Sequence, residues 1–394
     1  DEVLRQVGNR LAGAVRAPDT AARLGGDEFV LVCSVPDEAS VPGIVERVHA
    51  ALAAPVLANG TMVGVGFSIG LTITRNPNAD GDELLREADT AMYEAKHHGH
   101  RRWETYQVLR DRARERQSIE HELKEALTHD RFRLYYQPIC DSMDGRIVGA
   151  EALLRLEHPA RGVLGPGSFM KVAESSDLIG PIGQWVLQTA CAQLARWAAP
   201  EGFHLAVNIS GRELEDSTLC GRVLGMISEA GIEAQQVVLE MTESVLIEGG
   251  RPVIQGLRRL TAEGVGLAID DFGTGYGSLR YLQKFPVNTV KIDRSFVAGL
   301  GRRQQDEAIV QAITALSGSL GLNAIAEGVE TATQLVRLRT LGCRLAQGYL
   351  LGRPVPADEL MERLVNQDVV MSPVPVTERS APSEPDLSAS DWWG

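Results

Sequence analysis

Between residues 133 and 350 the chain repeats one pattern, in which a short apolar, β-rich run stops at a polar residue. The runs read RLYYQPI, IVGAEALLR, HLAVNIS, VVLEMTE, LAIDDFG, TVKIDRSF, AIAEGVE and LAQGYLLG. From the second run onward, segments with helical periodicity fill most of the gaps. Strands that alternate with helices predict a parallel sheet, and eight such strands predict a (β/α)8 barrel.

A polar side chain lies near the end of each of these predicted strands. The positions are Gln137, Glu151, Asn208, Glu240, Asp270 with Asp271, Lys291, Glu327 and Gln347. In a (β/α)8 barrel the C-terminal strand ends meet at one face, which carries the active site. A single polar residue entering a loop needs no functional reason, but a set dominated by carboxylates and amides indicates a shared site.

The first two runs are joined only by CDSMDGR, which is too short to contain a crossover helix. We therefore expect an antiparallel hairpin at the first strand of an otherwise parallel barrel. The rest of the chain divides by pattern into an α+β segment, a charged helical connector, the barrel and a Pro- and Ser-rich tail that we expect to be disordered. The expected bounds are 1–105, 106–130, 131–365 and 366–394.

Composition narrows the classes of function. A net charge of −13 argues against a general nucleic-acid or membrane-surface binder, although bound divalent cations would still permit a phosphate substrate. Five scattered cysteines without CxxC spacing favour reduced thiols in the cytoplasm. No apolar run is long enough for a membrane span. Because the chain begins at Asp1 within a helical pattern, we interpret it as a fragment, and a membrane tether upstream stays open.

The residue types at the strand ends point to hard divalent cations. Carboxylate and amide oxygens without histidine suit Mg²⁺ or Mn²⁺ and disfavour zinc. Adjacent carboxylates such as Asp270 and Asp271 can bridge two metal ions. Enzymes that catalyse in-line displacement at a phosphorus atom use this arrangement. Lys291 and Asp293 are two apart in a predicted strand, which places both toward the barrel interior. Lys291 could stabilise charge on a phosphoryl group or form a structural ion pair.

Several motifs occur in a family-specific order over residues 131–365: YQPI, EALLR, NIS, LEMTES, DDFGTGYGSL, KIDR, AEGVE and QGYLLGRPVP. This segment closely resembles the EAL-domain phosphodiesterases, which hydrolyse cyclic di-GMP to linear 5′-phosphoguanylyl-guanosine. The resemblance implies an EAL-type barrel with a reversed first strand, in agreement with the hairpin. It also implies two Mg²⁺ or Mn²⁺ ions in the barrel and cyclic di-GMP as the substrate.

The resemblance also assigns roles to single residues. The implied ligands of one metal are Glu151, Asn208, Glu240 and Asp270, and those of the second are Asp270, Asp271 and Glu327. Lys291 matches the group paired with the attacking water, and Glu243 matches the glutamate that holds the DDFGTGY loop. Substrate-binding or supporting positions are implied for Gln137, Arg155, Asp293, Glu330 and Gln347. Gly277 stands where this family commonly has serine, but no ligand position is lost.

The N-terminal segment carries RLGGDEFVLV, SIGL and ADTAMYEAKHHG, and resembles the C-terminal two-thirds of a GGDEF diguanylate cyclase domain. The resemblance implies that Gly25 and Gly26 approach a nucleotide and that Asp27 lies by a metal. Arg16 and Asp19 match the family's inhibitory product-binding RxxD motif. GTP or cyclic di-GMP is thus the implied ligand of this segment. The family's first metal-binding Asp should precede residue 1, so we expect no cyclase activity from the chain as it stands.

These observations leave a ranked set of functions. A metal-dependent cyclic di-GMP phosphodiesterase comes first, followed by a bifunctional cyclase and phosphodiesterase in a longer protein. A non-catalytic cyclic di-GMP receptor comes third, because receptors of this kind usually lose some of the metal-binding groups. A barrel enzyme for another phosphodiester comes last. We also expect a homodimer, with the connector helix as one candidate contact surface.

Overall fold

The computed structural model describes residues 1–58, 60–97, 103–197, 199–248, 250–274 and 285–366. The chain divides into two compact units between Gln117 and Ser118. Outside the described residues lie 367–394 of the tail expected over 366–394, and 275–284 of the glycine-rich loop with Gly277. Within those residues no helix is both long and apolar enough to cross a membrane.

The N-terminal unit contains short strand pairs and two helices that pack on each other. Its elements, with the helix that continues past Gln117, are α1 (Glu2–Ala14), β1 (Thr20–Gly25), β2 (Glu28–Val32), α2 (Val41–Ala53), β3 (Val56–Ala58), β4 (Thr61–Val63), β5 (Ile69–Leu71), α3 (Gly81–His97), β6 (Trp103–Thr105) and α4 (Tyr106–Thr128). Strand β1 pairs with β2, β3 with β4, and β5 with β6. Val7 and Leu11 of α1 pack against Val48 and Leu52 of α2 in a small core.

The second unit alternates strands and helices, as the sequence predicts. Its remaining elements are β7 (Phe132–Asp141), β8 (Ile147–His158), β9 (Gly162–Leu164), α5 (Met170–Glu174), α6 (Ile179–Arg196), β10 (His204–Asn208), α7 (Gly211–Leu214), α8 (Leu219–Ala230), β11 (Val237–Thr242), α9 (Glu243–Glu248), α10 (Arg251–Ala262), β12 (Gly266–Phe272), β13 (Thr289–Ile292), α11 (Arg294–Ala298), α12 (Gln304–Leu320), β14 (Asn323–Ala326), α13 (Ala332–Thr340), β15 (Leu345–Ala346) and α14 (Ala357–Asn366).

Eight of the described strands close into a barrel. Strand β8 is followed in parallel by β10, β11, β12, β13, β14 and β15, and β7 closes the ring by pairing antiparallel with both β15 and β8. Strand β9 extends the sheet beyond β8. The (β/α)8 fold and the reversed first strand are therefore confirmed. Leu239, Leu267 and Val290 are fully buried, because each parallel strand is covered on both faces.

Two sequence-based placements are wrong in detail. Gln137 and Glu151 lie in the middle of their strands, directly opposite each other in the β7–β8 ladder, because the hairpin continues well past the rim of the barrel. Asp293 is not a strand residue, since β13 ends at Ile292 and Asp293 caps the N-terminus of α11. Gln137, Glu151 and Asp293 thus lie at other points of their elements than predicted, but all three stay near the barrel's C-terminal face.

A glycine lets the last strand join the site. The backbone N–H of Gln347 donates to the carbonyl of Ala326, and the carbonyl of Gln347 accepts from the N–H of Val329. Gly348 follows with φ of 156°, and a Cβ there would lie 2.1 Å from the backbone nitrogen of Val329. Only glycine permits this close approach, which sets the position of Gln347 at the barrel mouth.

Candidate active site

A fully buried lysine lies at the centre of the barrel's C-terminal face. Lys291 Nζ is 2.7 Å from Glu240 Oε2 and 2.7 Å from Glu327 Oε1. It is 3.3 Å from both Glu151 Oε2 and Asp270 Oδ1. The structure thus gathers one ammonium and four carboxylates, four of the five groups from different barrel strands and Glu327 from the residue directly after β14.

Glu151 is fixed by amide donors as well as by the lysine. Asn208 Nδ2 donates to Glu151 Oε1 at 2.7 Å, and Gln347 Nε2 donates to Glu151 Oε2 at 2.7 Å. Gln347 Nε2 also lies 3.1 Å from Gln137 Oε1, and Gln137 Nε2 donates to the carbonyl of Gly352. Because the Asn208 nitrogen faces Glu151, its side-chain oxygen stays available as an acceptor or ligand.

The adjacent Asp270 and Asp271 form the second part of the site. Ligand oxygens of Asp270, Asp271 and Glu327 all lie within 4.8 Å of one another. Asp271 has φ of 52°, in the left-handed region that non-glycine residues rarely adopt, and the β12–β13 ladder shifts register there. Such backbone strain is typical of functional sites, and here it turns two successive carboxylates toward one centre.

Of the predicted supporting residues, Glu243 and Asp293 lie next to this pair. Glu243 Oε2 accepts from the N–H of Gly273 at 3.3 Å, which ties the start of α9 to the loop after β12. Asp293 Oδ1 accepts from the N–H of Ser295 at 3.1 Å, so this carboxylate is oriented by its capping role. Glu330 is exposed just before α13, and its backbone N–H donates to Gln334 Oε1.

Burial and crowding of charge shift the pKa values of this cluster. Burial, together with repulsion from Asp270 and Asp293, raises the pKa of Asp271 to about 7. Burial also raises the pKa of Glu240 and of Glu327 well above their ordinary values, against the attraction of Lys291. Burial and mutual repulsion thus favour the protonated forms of these carboxylates when no cation is bound.

The pKa shifts of Lys291 and Glu151 have the opposite effect, because they favour the charged form of each group. Burial works against the ammonium, but attraction from the surrounding carboxylates raises the pKa of Lys291 well above its ordinary value. Burial also opposes the Glu151 carboxylate, but Lys291 and the two amide donors hold the pKa of Glu151 below its ordinary value. Contact with Lys291 and the two amides thus favours the charged form of Glu151.

Two carboxylate oxygens in the site fit a divalent cation. Glu240 Oε1 and Asp270 Oδ2 are buried and have no hydrogen-bond partner among the described residues. A buried oxygen without a donor is costly unless a cation or proton satisfies it. If all five carboxylates ionised, Lys291 would leave four negative charges uncompensated, which is the charge of two divalent ions. The all-oxygen donor set suits Mg²⁺ or Mn²⁺.

Arg155 supplies a positive side chain that the carboxylate cluster does not use. Burial lowers the pKa of Arg155, partly offset by Tyr349, Glu151 and Tyr135 nearby. Its guanidinium donates to the carbonyl of Leu154 and lies 5.5 Å from the Tyr135 ring centroid. Among the described residues Arg155 forms no ion pair with a carboxylate, so its guanidinium can donate hydrogen bonds to a phosphate.

In the N-terminal unit, the residues predicted to bind a nucleotide or a metal lie at a hairpin turn and at the RxxD motif. Gly25, Gly26 and Asp27 lie exposed at the turn of the β1–β2 hairpin, and Gly26 has φ of 51°. Arg16 Nε lies 3.5 Å from Asp19 Oδ2, and Asp19 Oδ1 accepts from the N–H of Ser34. That backbone bond is the first cause that lowers the pKa of Asp19. The RxxD pair thus satisfies its own charges within the chain.

Sequence reasoning missed one buried group beside the site. Ser210 caps α7, and the Glu213 side chain returns a hydrogen bond to the Ser210 backbone, which forms a capping box. The signal is present in the sequence as S-x-x-E, in the letters SGRE that begin at the serine of NIS. Its burial could not be read from the sequence, since most capping boxes lie at the surface.

Comparison with known proteins identifies the two regions of the chain. The family model for the EAL domain matches residues 120–354, and that for the diguanylate cyclase GGDEF domain matches residues 1–102. A Pseudomonas aeruginosa protein named bifunctional diguanylate cyclase/cyclic di-GMP phosphodiesterase MucR is 39% identical, over 92% of this chain and 53% of its own length. The P. aeruginosa cyclic di-GMP phosphodiesterase NbdA is 36% identical, over 92% of this chain and 47% of its own.

Solved structures give the same relation. The MucR phosphodiesterase in complex with cyclic di-GMP is 42% identical, with a TM-score of 0.60, over 62% of this chain and 99% of that one. The P. aeruginosa FimX EAL domain bound to cyclic di-GMP is 26% identical, with a TM-score of 0.56, over 60% of this chain and 96% of that one. The chain spans about half the length of the curated relatives named above. It belongs to the EAL domain family, with a GGDEF-domain match in its N-terminal region.

Proposed function

We propose that this chain hydrolyses cyclic di-GMP to linear 5′-phosphoguanylyl-guanosine, with Mg²⁺ or Mn²⁺ bound in the barrel. The observation that carries the proposal is the cluster of carboxylates around Lys291, with two buried oxygens that lack partners. Similarity to MucR and NbdA, and to the MucR structure with cyclic di-GMP, supports the choice of substrate.

The metals would be held by the residues that the cluster brings together. Asp270, Asp271 and Glu327 would hold one ion, and Glu151, Asn208 and Glu240, with Asp270 shared, would hold the other. Two divalent cations, when bound, supply Lewis-acid activation of a nucleophile and neutralise charge on the phosphoryl group. Gln347 keeps Glu151 oriented, and Glu243 holds the loop that follows Asp271.

The reaction requires one bond to form and one to break. The oxygen of a water molecule bonds to phosphorus and gives up a proton. The bond from phosphorus to the ribose 3′-oxygen breaks, and this leaving oxygen takes up a proton to become a hydroxyl. Lys291 lies where it can donate a hydrogen bond to the nucleophile or to a phosphoryl oxygen, because its ammonium faces the carboxylates that would hold the ions. The phosphate stays on the 5′ side, which gives the linear dinucleotide.

Metal removal should abolish the reaction. With Mg²⁺ or Mn²⁺, ion-exchange separation of the nucleotides should show conversion of cyclic di-GMP to the linear product. After exhaustive chelation we expect no conversion, and Mg²⁺ should restore it. Ca²⁺ should bind but support little turnover, since its longer bonds and looser geometry misplace the reacting groups. Full activity after chelation would rule the proposal out.

Arg155 should contribute mainly to substrate binding. Replacing it with alanine removes the partly buried guanidinium that has no carboxylate partner among the described residues. We expect KM to rise about tenfold or more, since a charge-assisted contact to phosphate contributes about 1.5–3 kcal/mol. The rate at saturation should fall less. Arg133→Ala is the matched control, because Arg133 lies on the paired strand and forms an ion pair with Glu157. An unchanged KM for Arg155→Ala would remove Arg155 from the binding site.

A bifunctional cyclase and phosphodiesterase is the second candidate, for a longer protein that contains this chain. The match to the GGDEF domain over residues 1–102 favours it, with GTP or cyclic di-GMP as the ligand of that region. Incubating the longer protein with GTP and analysing the nucleotides would test it. A non-catalytic receptor would instead bind cyclic di-GMP without converting it under the metal conditions above.

A further inference from the structure

Ser210 and Glu213 form a buried, hydrogen-bonded unit just after Asn208 in the chain. We propose that Glu213, acting through Ser210, is a positioning residue that holds Asn208 in place as a metal ligand. The inference rests on the proposed function, because it assigns Asn208 to the metal site. Neither Ser210 nor Glu213 belongs to the set of residues that the EAL resemblance implies for the site.

The two peptide groups after Asn208 are each fixed by a hydrogen bond. The N–H of Ile209 donates to the carbonyl of Glu240 at 2.8 Å, which ties the end of β10 to β11. The N–H of Ser210 donates to Glu213 Oε2 at 3.0 Å. These two bonds restrict rotation of the chain where it leaves the strand and so favour the observed direction of the Asn208 side chain toward Glu151.

The Ser210 and Glu213 side chains form one reciprocal unit. Ser210 Oγ donates to Glu213 Oε2 at 2.7 Å, and Ser210 Oγ accepts from the N–H of Glu213 at 3.3 Å. Both residues are buried, with 3% and 6% of their surface exposed. Helix α7 has only four residues, so its own backbone bonds cannot keep this turn in place.

Burial makes a charged carboxylate at position 213 energetically unfavourable. Burial raises the pKa of Glu213, and the hydrogen bonds from Ser210 only partly oppose it. A second carboxyl lies close by, since burial and the charge of Glu213 raise the pKa of Glu174 to about 7. Glu174 Oε1 is itself buried without a partner among the described residues. Residues that break local rules of stability are typical of functional sites.

The neighbouring helix leaves room for this carboxylate. A Cβ at Gly183 of α6 would lie 1.7 Å from Glu213 Oε1, so any larger residue would displace the side chain. A cavity of about 30 Å³, lined by Gly183, Asn208, Ser210 and Glu213, lies beside it. The hydrogen bonds from Ser210 and the absence of a side chain at Gly183 together allow Glu213 to take this position.

Metal affinity tests the proposal independently of the substrate. Mn²⁺ is titrated by calorimetry into the full chain and its variants, and each variant's thermal unfolding is recorded without metal. For Glu213→Ala and for Ser210→Ala we expect Mn²⁺ affinity to fall about 10- to 100-fold, the usual loss when a group that orients a metal ligand is removed. Gly183→Ala should lower it in the same direction.

Two further variants separate positioning from general damage. Glu213→Gln keeps an acceptor for the Ser210 N–H and should recover most of the affinity lost in Glu213→Ala. Gln236→Ala is the matched control, since Gln236 completes a capping box with Glu233 at the N-terminal end of β11. It should leave Mn²⁺ affinity unchanged. The double variant Ser210→Ala, Glu213→Ala should lose no more than Glu213→Ala alone, because the two act as one unit.

The affinities of these variants decide whether Glu213 and Ser210 position Asn208. Wild-type Mn²⁺ affinity in Ser210→Ala and Gly183→Ala would overturn the proposal, even if Glu213→Ala fails to fold. Equal losses in Gln236→Ala would also overturn it, because the effect would then be general. If the wild type binds Mn²⁺ but does not convert cyclic di-GMP, the proposed function fails while the positioning role stands on the affinity data. If conversion occurs and affinity is insensitive to these variants, only the positioning role fails.

Discussion

Replacing Lys291 with methionine should abolish turnover and make the barrel depend on metal for its stability. The ammonium is fully buried and lies within 3.3 Å of oxygens from Glu151, Glu240, Asp270 and Glu327. Methionine has a similar length but no charge, so those carboxylates would face one another without a cation. Breaking a buried ion pair from one side costs about 3–5 kcal/mol. We expect the metal-free variant to lose that much free energy of unfolding.

Metal should restore much of this loss, because a cation binds the folded cluster better than the unfolded chain. Turnover should not return, since removing a group that stabilises transition-state charge costs about 100-fold or more. The control is Lys124→Met, on the exposed face of α4, where Lys124 Nζ lies 3.0 Å from Glu120 Oε1. Exposed pairs of this kind contribute about 0–1 kcal/mol.

Denaturant unfolding with and without Mg²⁺, together with kcat, measures both effects. Unchanged metal-free stability in Lys291→Met would show that protonation of the carboxylates, and not Lys291, removes their mutual repulsion. Wild-type turnover in the same variant would remove Lys291 from the reaction. In either case Lys124→Met shows how much a lysine substitution outside the site changes the free energy of unfolding and kcat.

The barrel and the location of its site could be predicted because parallel strands impose a direction. Once the runs ending in Asn208, Glu240 and Asp270 are read as parallel strands, their C-terminal ends must meet. The reversed first strand was also predictable, since the loop between the first two runs is too short for any crossover. Both follow from chain geometry and need no knowledge of side-chain packing.

The arrangement within the site could not be predicted in the same way. Glu151 and Lys291 are 140 positions apart, and no local pattern specifies that their side chains meet. Gln137 and Glu151 were assigned to strand ends, because their runs do not reveal that the hairpin extends beyond the barrel rim. The left-handed backbone of Asp271 is likewise set by tertiary contacts, since an isolated Asp prefers other conformations.

The roles of single site residues stay predictions, and Glu151 offers the most direct test of them. Its carboxylate accepts from Asn208 and Gln347 and lies beside Lys291, so three donors converge on two oxygens. Glu151→Ala removes every one of these contacts together with a proposed metal ligand. We expect kcat to fall at least about 100-fold, on the scale of lost transition-state electrostatics.

Glu151→Gln makes the test sharper, because it keeps the volume and removes the charge. An amide in this place must point its NH₂ group at Asn208, Gln347 or Lys291, all of which already present donors to position 151. Two donors facing each other in a buried site leave both unsatisfied, at a cost of about 1–3 kcal/mol. We therefore expect Glu151→Gln to lose Mn²⁺ affinity and turnover nearly as fully as Glu151→Ala.

Glu157→Gln is the matched control on the same strand. Glu157 Oε2 lies 3.0 Å from Arg133 Nη2, and its side chain is 45% exposed, so loss of its charge should change neither metal affinity nor kcat. Calorimetric Mn²⁺ titration and steady-state conversion of cyclic di-GMP give the two quantities for each variant. If Glu151→Gln retains wild-type affinity and turnover while the control behaves as expected, the carboxylate does not bind metal. The convergence of Asn208, Gln347 and Lys291 on it would then serve the stability of the barrel mouth alone.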